Sequence, residues 1–218
     1  MSSNTPTRAD ALIIERAQQD FEDGLAYARS RIRATHGKIV GASLEALVMG
    51  AVAALHVRTR MRDDVRQLLA LAHRVDAGED ARALAEQHLD HVLRLKSAMH
   101  LIAREDDPEF KVIRAMALDL FALRLPDLAR MAAVPDPADF DDLVRKAFPD
   151  RAHVDAMIDD NAARVLAIVA HLESHPHVLH APRALAPKLA AMARDMTAWK
   201  VAEVRRGVDE IYAAGSSR

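Results

Sequence analysis

The run DRAHVDAMIDDNAARVLAIVAHLESHP, residues 150–176, decides the fold class. Its apolar residues, Val154, Met157, Ile158, Val165, Ile168, Val169 and Leu172, recur at spacings of three and four, which gathers them on one face of an α-helix. Asp150 is placed to cap the start, because its carboxylate can accept from the unpaired N–H groups of a first helical turn. Pro176, with no N–H to donate, ends it. Nowhere does the chain alternate apolar and polar residues as a half-buried strand would.

The helical pattern extends in both directions. Asp107-Pro108-Glu109 puts a cap, a first-position proline and a first-turn carboxylate in order, opening a helix through Ile113, Met116 and Leu120 that should break or kink at Pro126. Between Pro126 and Pro149 lie four of the nine prolines, so two short helices are expected near 127–133 and 138–147. Asp80 starts another helix, whose inward line is Leu84, His88, Val92, Leu95, Met99 and Ile102. Thr7 followed by Asp10 reads as the N-terminus of a first helix to about residue 35, closed at His36-Gly37-Lys38 with Gly37 as the C-cap. Ser43 then caps a second, with Leu44, Leu47, Val48, Ala51, Leu55, Val65, Leu68, Leu69 and Ala72 in phase up to Gly78. The last long helix should start between Pro182 and Pro187 and carry Leu189, Met192, Met196 and Trp199, then Val204, Val208 and Ile211.

The expected fold is therefore all-α: a compact antiparallel helical bundle, or an orthogonal all-helical domain, of about seven to eight helices. It should form a single domain over residues 7–214, with flexible ends at 1–6 and 215–218. A chain of 218 residues can bury about 70% of its unfolded surface without staples. The absence of Cys removes disulfides, thiolate metal sites and thiol nucleophiles, and with no secretory signal it fits a cytoplasmic protein. Ile39–Val57 is the one apolar run of membrane length, but it is rich in Ala and Gly and holds Glu45, so no membrane insertion is expected. Its Ala42, Ala46, Gly50 and Ala54 instead draw a small-residue line for another helix to approach.

Catalytic signatures are missing. There is no G-x-G-x-x-G, no Walker-type loop, no G-x-S-x-G, no His-Glu pair of an H-E-x-x-H helix and no Glu-x-x-His of a di-iron bundle. The pairs Asp63-Asp64, Asp106-Asp107, Asp141-Asp142 and Asp159-Asp160 each lack the third aspartate of a magnesium-diphosphate motif and read as first turns and solvated faces.

Histidine is the compositional anomaly, with 11 residues, four of them in the stretch His171-Leu-Glu-Ser-His175-Pro-His177-Val-Leu-His180. His171 and His175, four apart, project from one helical face at the spacing two ligands of one ion require. His177, His180 or Glu173 then offers a third donor, a nitrogen-rich set suited to zinc, nickel or copper, with haem ligation a more distant option. Imidazoles at a helix C-terminus are also favoured by the helix dipole alone. His88, three residues before His91 and in register with Leu84, Leu95 and Met99, reads as a hydrogen-bonded core histidine, and His73 with Asp76 as a solvated ion pair or else an orienting pair for general-base work.

Arg58, Arg62 and Arg66 share a helix face, but a net charge of -2 and only 4% aromatic residues disfavour nucleic-acid binding. Met192, Met196 and Trp199 form a line that can serve as a core face or as a partner surface. Together these features point to a non-enzymatic helical interaction or regulatory module, self-associating or binding a protein partner. The alternative is a histidine-ligated metal- or haem-binding bundle acting as a sensor, a store or an oxygen-chemistry enzyme.

Overall fold

The described residues hold seven α-helices and two short 3-10 turns, and no β-strand. The structure is a computed structural model that describes the backbone of residues 6–55, 58–87, 106–179 and 183–215, with side chains in all of these except 35–61. The helices are α1 (Arg8–Leu55), α2 (Arg58–Asp76), α3 (Ala81–Gln87), α4 (Pro108–Ala132), α5 (Phe140–Ala147), α6 (Arg151–Ser174) and α7 (Ala186–Gly215), and the turns are Pro176–Val178 and Arg183–Leu185. No helix among the described residues is long and apolar enough to cross a membrane.

Caps fall where side chains can satisfy first-turn N–H groups. Thr7 and Asp10 bond reciprocally, Thr7 N–H to Asp10 Oδ2 at 3.0 Å and Asp10 N–H to Thr7 Oγ1 at 3.2 Å. Asp107 accepts from Glu109 N–H at 2.9 Å, Asp139 from Asp142 N–H at 2.7 Å and Asp150 from Ala152 N–H at 2.9 Å.

Two boundaries differ from the sequence expectation. Helical backbone runs through Gly37 and Ser43, since a lone interior glycine costs only about 1 kcal/mol and no proline follows it. Yet α1 is not one straight rod. A straight helix would put Leu55 about 55 Å from Gln18, whereas Arg62, seven residues beyond Leu55, bonds the Gln18 side chain at 3.2 Å. His73 also faces Asp10, so α2 runs antiparallel to the start of α1. The second departure is at Pro126, which neither breaks nor ends α4. Leu125 and Ala129 flank it and are both buried, and their packing outweighs the roughly 3 kcal/mol that an interior proline costs. The expected short helix at 127–133 is thus the end of α4, while that at 138–147 is present as α5.

The main core joins Ala9, Ile13 and Ile14 of α1 to Val65 and Leu69 of α2, Leu143, Val144 and Ala147 of α5, Val154 and Ile158 of α6, and Val208 and Ile211 of α7. A second cluster packs Leu71, Leu84 and Ala85 against Leu118 and Leu125. The third is small: Phe110 and Ile113 of α4 against Val178, with Ile168 and Leu172 of α6 alongside. Long-range pairs set the helix directions. Asp20 meets Lys200 and Arg31 meets Asp195, so α1 and α7 are antiparallel. Arg205 meets Asp159 and Arg151 meets Asp209, so α6 and α7 are antiparallel too. These pairings select the antiparallel form of the two expected architectures.

Several expectations lie outside the described residues: the side chains of Ala42, Ala46, Gly50 and Ala54, the core line beyond Leu84, the His88–His91 pair, and His180. Most of both chain ends, expected to be flexible, lies there as well.

Candidate metal centre

The register of α4 against α6 brings the site together. Arg124 bonds Asp160, and Asp127 lies 3.6 Å from His153 Nε2, so the two helices run antiparallel. Arg164 also bonds Asp160 and, with Arg124, holds its carboxyl below the usual carboxylate range. Followed to its end, this pairing sets the first turn of α4 beside the last turn of α6.

There Glu109 Oε2 lies 2.9 Å from His171 Nε2 and 3.8 Å from His175 Nε2. One donor atom from each of Glu109, His171 and His175 falls within 4.8 Å of the others. The two rings stack with centroids 4.3 Å apart and planes 30° from parallel, as i, i+4 spacing allows. All three side chains are partly buried: 34% exposed for Glu109, 21% for His171 and 33% for His175.

Hydrogen bonding fixes the protons. His175 Nδ1 lies 3.0 Å from the His171 carbonyl oxygen, which can only accept, so Nδ1 carries the hydrogen. In the tautomer that this bond selects, the lone pair is on Nε2, the nitrogen nearer Glu109, where it can bind a cation. An imidazole that donates its other N–H to a backbone carbonyl is the usual arrangement behind a metal-ligating histidine. His171 Nε2 donates to Glu109, and an ion bound there would take the place of that proton. Without an ion the trio is a hydrogen-bonded cluster placed in accord with both helix dipoles, with an acid at the N-terminus of α4 and imidazoles at the C-terminus of α6.

The distances suit a small ion. Zinc bonds of 2.0–2.1 Å to nitrogen and oxygen give a tetrahedron with edges of about 3.3–3.4 Å. The Glu109 contacts of 2.9 and 3.8 Å bracket that edge. Two imidazoles stacked on one side of a carboxylate suit a single ion better than a porphyrin, whose two axial ligands approach from opposite faces.

No protein-family model, curated protein or solved structure matches this chain. The site therefore rests on its own geometry.

Of the four histidines singled out from the sequence, His171 and His175 belong to the trio. His177 stands beside it, with Nε2 3.3 Å from Asp107 Oδ2. Glu173, offered as a third donor, points elsewhere: Arg194 of α7 grips both its oxygens and holds its carboxyl below its ordinary value. The third donor beside the two imidazoles is instead Glu109, which in sequence reads only as a first-turn acid. The pairing of His73 with Asp76 is likewise replaced, since His73 Nε2 lies 3.5 Å from Asp10 Oδ1. Arg62 turns back onto Gln18 and Arg66 pairs with Asp63, which spends much of the basic face within the chain. Trp199 stacks on Tyr27 at 4.5 Å, while Met196 remains exposed and Met192 borders a cavity of about 220 Å³ with Arg31 and Asp195.

Proposed function

We propose that this chain is a helical module that binds one divalent transition-metal ion, zinc by preference, through Glu109, His171 and His175, and acts as a metal-responsive interaction or regulatory element. The observation that carries the reading is the convergence of those three donors within 4.8 Å from helices 62 residues apart in sequence. Two imidazoles and one carboxylate, with no thiolate available, match zinc, nickel or copper, and two His with one Glu is a set that zinc commonly takes.

The position of the site supports a regulatory role. It ties the start of α4 to the end of α6, directly beside the small Phe110–Ile113–Val178 cluster and away from the main core. Binding energy delivered there reinforces a small packed cluster and steadies the turn Pro176–Val178 that follows α6. A cavity of about 710 Å³ lies elsewhere, between Val75, Pro126, Ala129 and Ala147, and does not touch the site.

The test is equilibrium dialysis against zinc followed by elemental analysis. One zinc per chain is expected, and it should be lost in a His171→Ala, His175→Ala double variant whose helical circular dichroism is unchanged. A chain that retains no zinc, or a double variant that retains as much, refutes the reading.

A further inference from the structure

We infer that His177 is the fourth ligand of this centre, leaving Asp107 for the ion when the site is loaded; the inference rests on the metal-binding reading above. Three protein donors leave one corner of a zinc tetrahedron open, and a structural zinc site fills all four from the chain. Two residues past His175, on the turn Pro176–Val178, His177 sits with its ring centroid 6.0 Å from that of His175 and its plane at 77° to it.

The surroundings allow its side chain to turn while its backbone stays. Val178, the next residue, is fully buried against Phe110 and Ile113 and anchors the turn. The His177 ring itself is 45% exposed. Its 3.3 Å contact with Asp107 is longer than the 2.7–2.9 Å of a strong charge-assisted hydrogen bond, so little holds the ring there. A metal–imidazole bond exceeds that loss. Asp107 is not left idle, because its other oxygen, Oδ1, caps α4 through Glu109 N–H whether or not His177 is present.

The rival donor among the described residues is poorly placed. Glu173 would have to break its two-pronged contact with Arg194 on α7. With His177 in place the ion has four protein ligands drawn from α4, α6 and the connection to α7. Such a centre clamps three segments together, as a regulatory or structural site does, and holds no open position for substrate.

The experiment is a cobalt(II) titration of the full chain, followed by visible absorption, for the wild type, His177→Ala and Asp107→Asn. The wild type is expected to give the intense bands of four-coordinate cobalt. His177→Ala should bind at least about tenfold more weakly, with weaker bands as water enters the vacated position. Asp107→Asn keeps the cap, since Asn caps as well as Asp, and should give full band intensity with His177 released. An unchanged spectrum and affinity in His177→Ala, or a loss in Asp107→Asn as large as that in His177→Ala, overturns the assignment of His177. Absence of any cobalt spectrum in the wild type overturns the metal-binding reading itself, a separate and prior failure.

Discussion

Replacing Glu109 with Gln separates the two states of the site. The amide keeps the shape and can still accept from His171 Nε2, now at 2.9 Å from the carboxylate, but the charge is gone. In the metal-free chain the loss is the difference between a charged and a neutral hydrogen-bond acceptor, about 0.5–1 kcal/mol, plus that of a carboxylate at a helix N-terminus, about 0.3–1 kcal/mol. Together these come to about 1–2 kcal/mol, or a fall in Tm of roughly 2–8 °C for a chain of this size. Zinc at a hundred times its Kd should stabilise the wild type by about 2.7 kcal/mol. If losing the carboxylate weakens binding about tenfold, the same zinc concentration stabilises Glu109→Gln by only about 1.4 kcal/mol. Differential scanning calorimetry with and without zinc reads both numbers. The zinc-induced rise should be about 5–11 °C in the wild type and about half that in the variant. Equal rises in the two proteins would remove Glu109 from the ligand set and refute the reasoning.

Other outcomes follow from the packing and the charges. Leu143→Ala empties a fully buried position where α5 meets the main core and should lower unfolding free energy by about 2–5 kcal/mol, measured by urea denaturation. Pro126→Ala restores a backbone donor inside α4 and should raise stability by about 1–3 kcal/mol; a fall would show instead that the proline ring is needed in the wall of the large cavity it borders. Four carboxyls are held below their ordinary range: Glu79 by Arg74, Asp142 by the Ala138 N–H and then Lys146, Asp160 by Arg164 and then Arg124, and Glu173 by Arg194. Each binds protons more readily in the unfolded chain, so their contribution is present above the usual carboxylate range of about pH 4 and drains as pH falls through the lower folded values. The urea midpoint should drop below about pH 4, more shallowly in high salt, and a flat profile from pH 5 to 3 would contradict these pairings.

Much of the helical architecture was legible in local chemistry. The reciprocal Thr7–Asp10 cap, the Asp107 and Asp150 caps and the inward line Val154, Ile158 and Val169 all rest on contacts within a few residues, and those dictate a helix wherever it packs. That Pro126 does not break α4 follows from the burial of Leu125 and Ala129, which only the neighbouring helices supply and local sequence does not show. Two of the three donors were legible for the same local reason, since His171 and His175 announce themselves by i, i+4 spacing. Glu109 did not, because its pairing with His171 depends on the register of α4 against α6. One clue was present: an acid-rich helix start and a histidine-rich helix end are electrostatic complements, and antiparallel neighbours bring such ends together. Glu173 misled in turn because only the antiparallel fit of α6 and α7 shows that Arg194 claims it.

X-ray absorption fine structure on the zinc-loaded chain tests the central claim most directly. Coordination by Glu109, His171 and His175 requires a first shell of nitrogen and oxygen at about 2.0–2.1 Å with the outer-shell scattering of at least two imidazoles. A first shell of oxygen alone, without imidazole scattering, would mean that the histidines do not hold the ion.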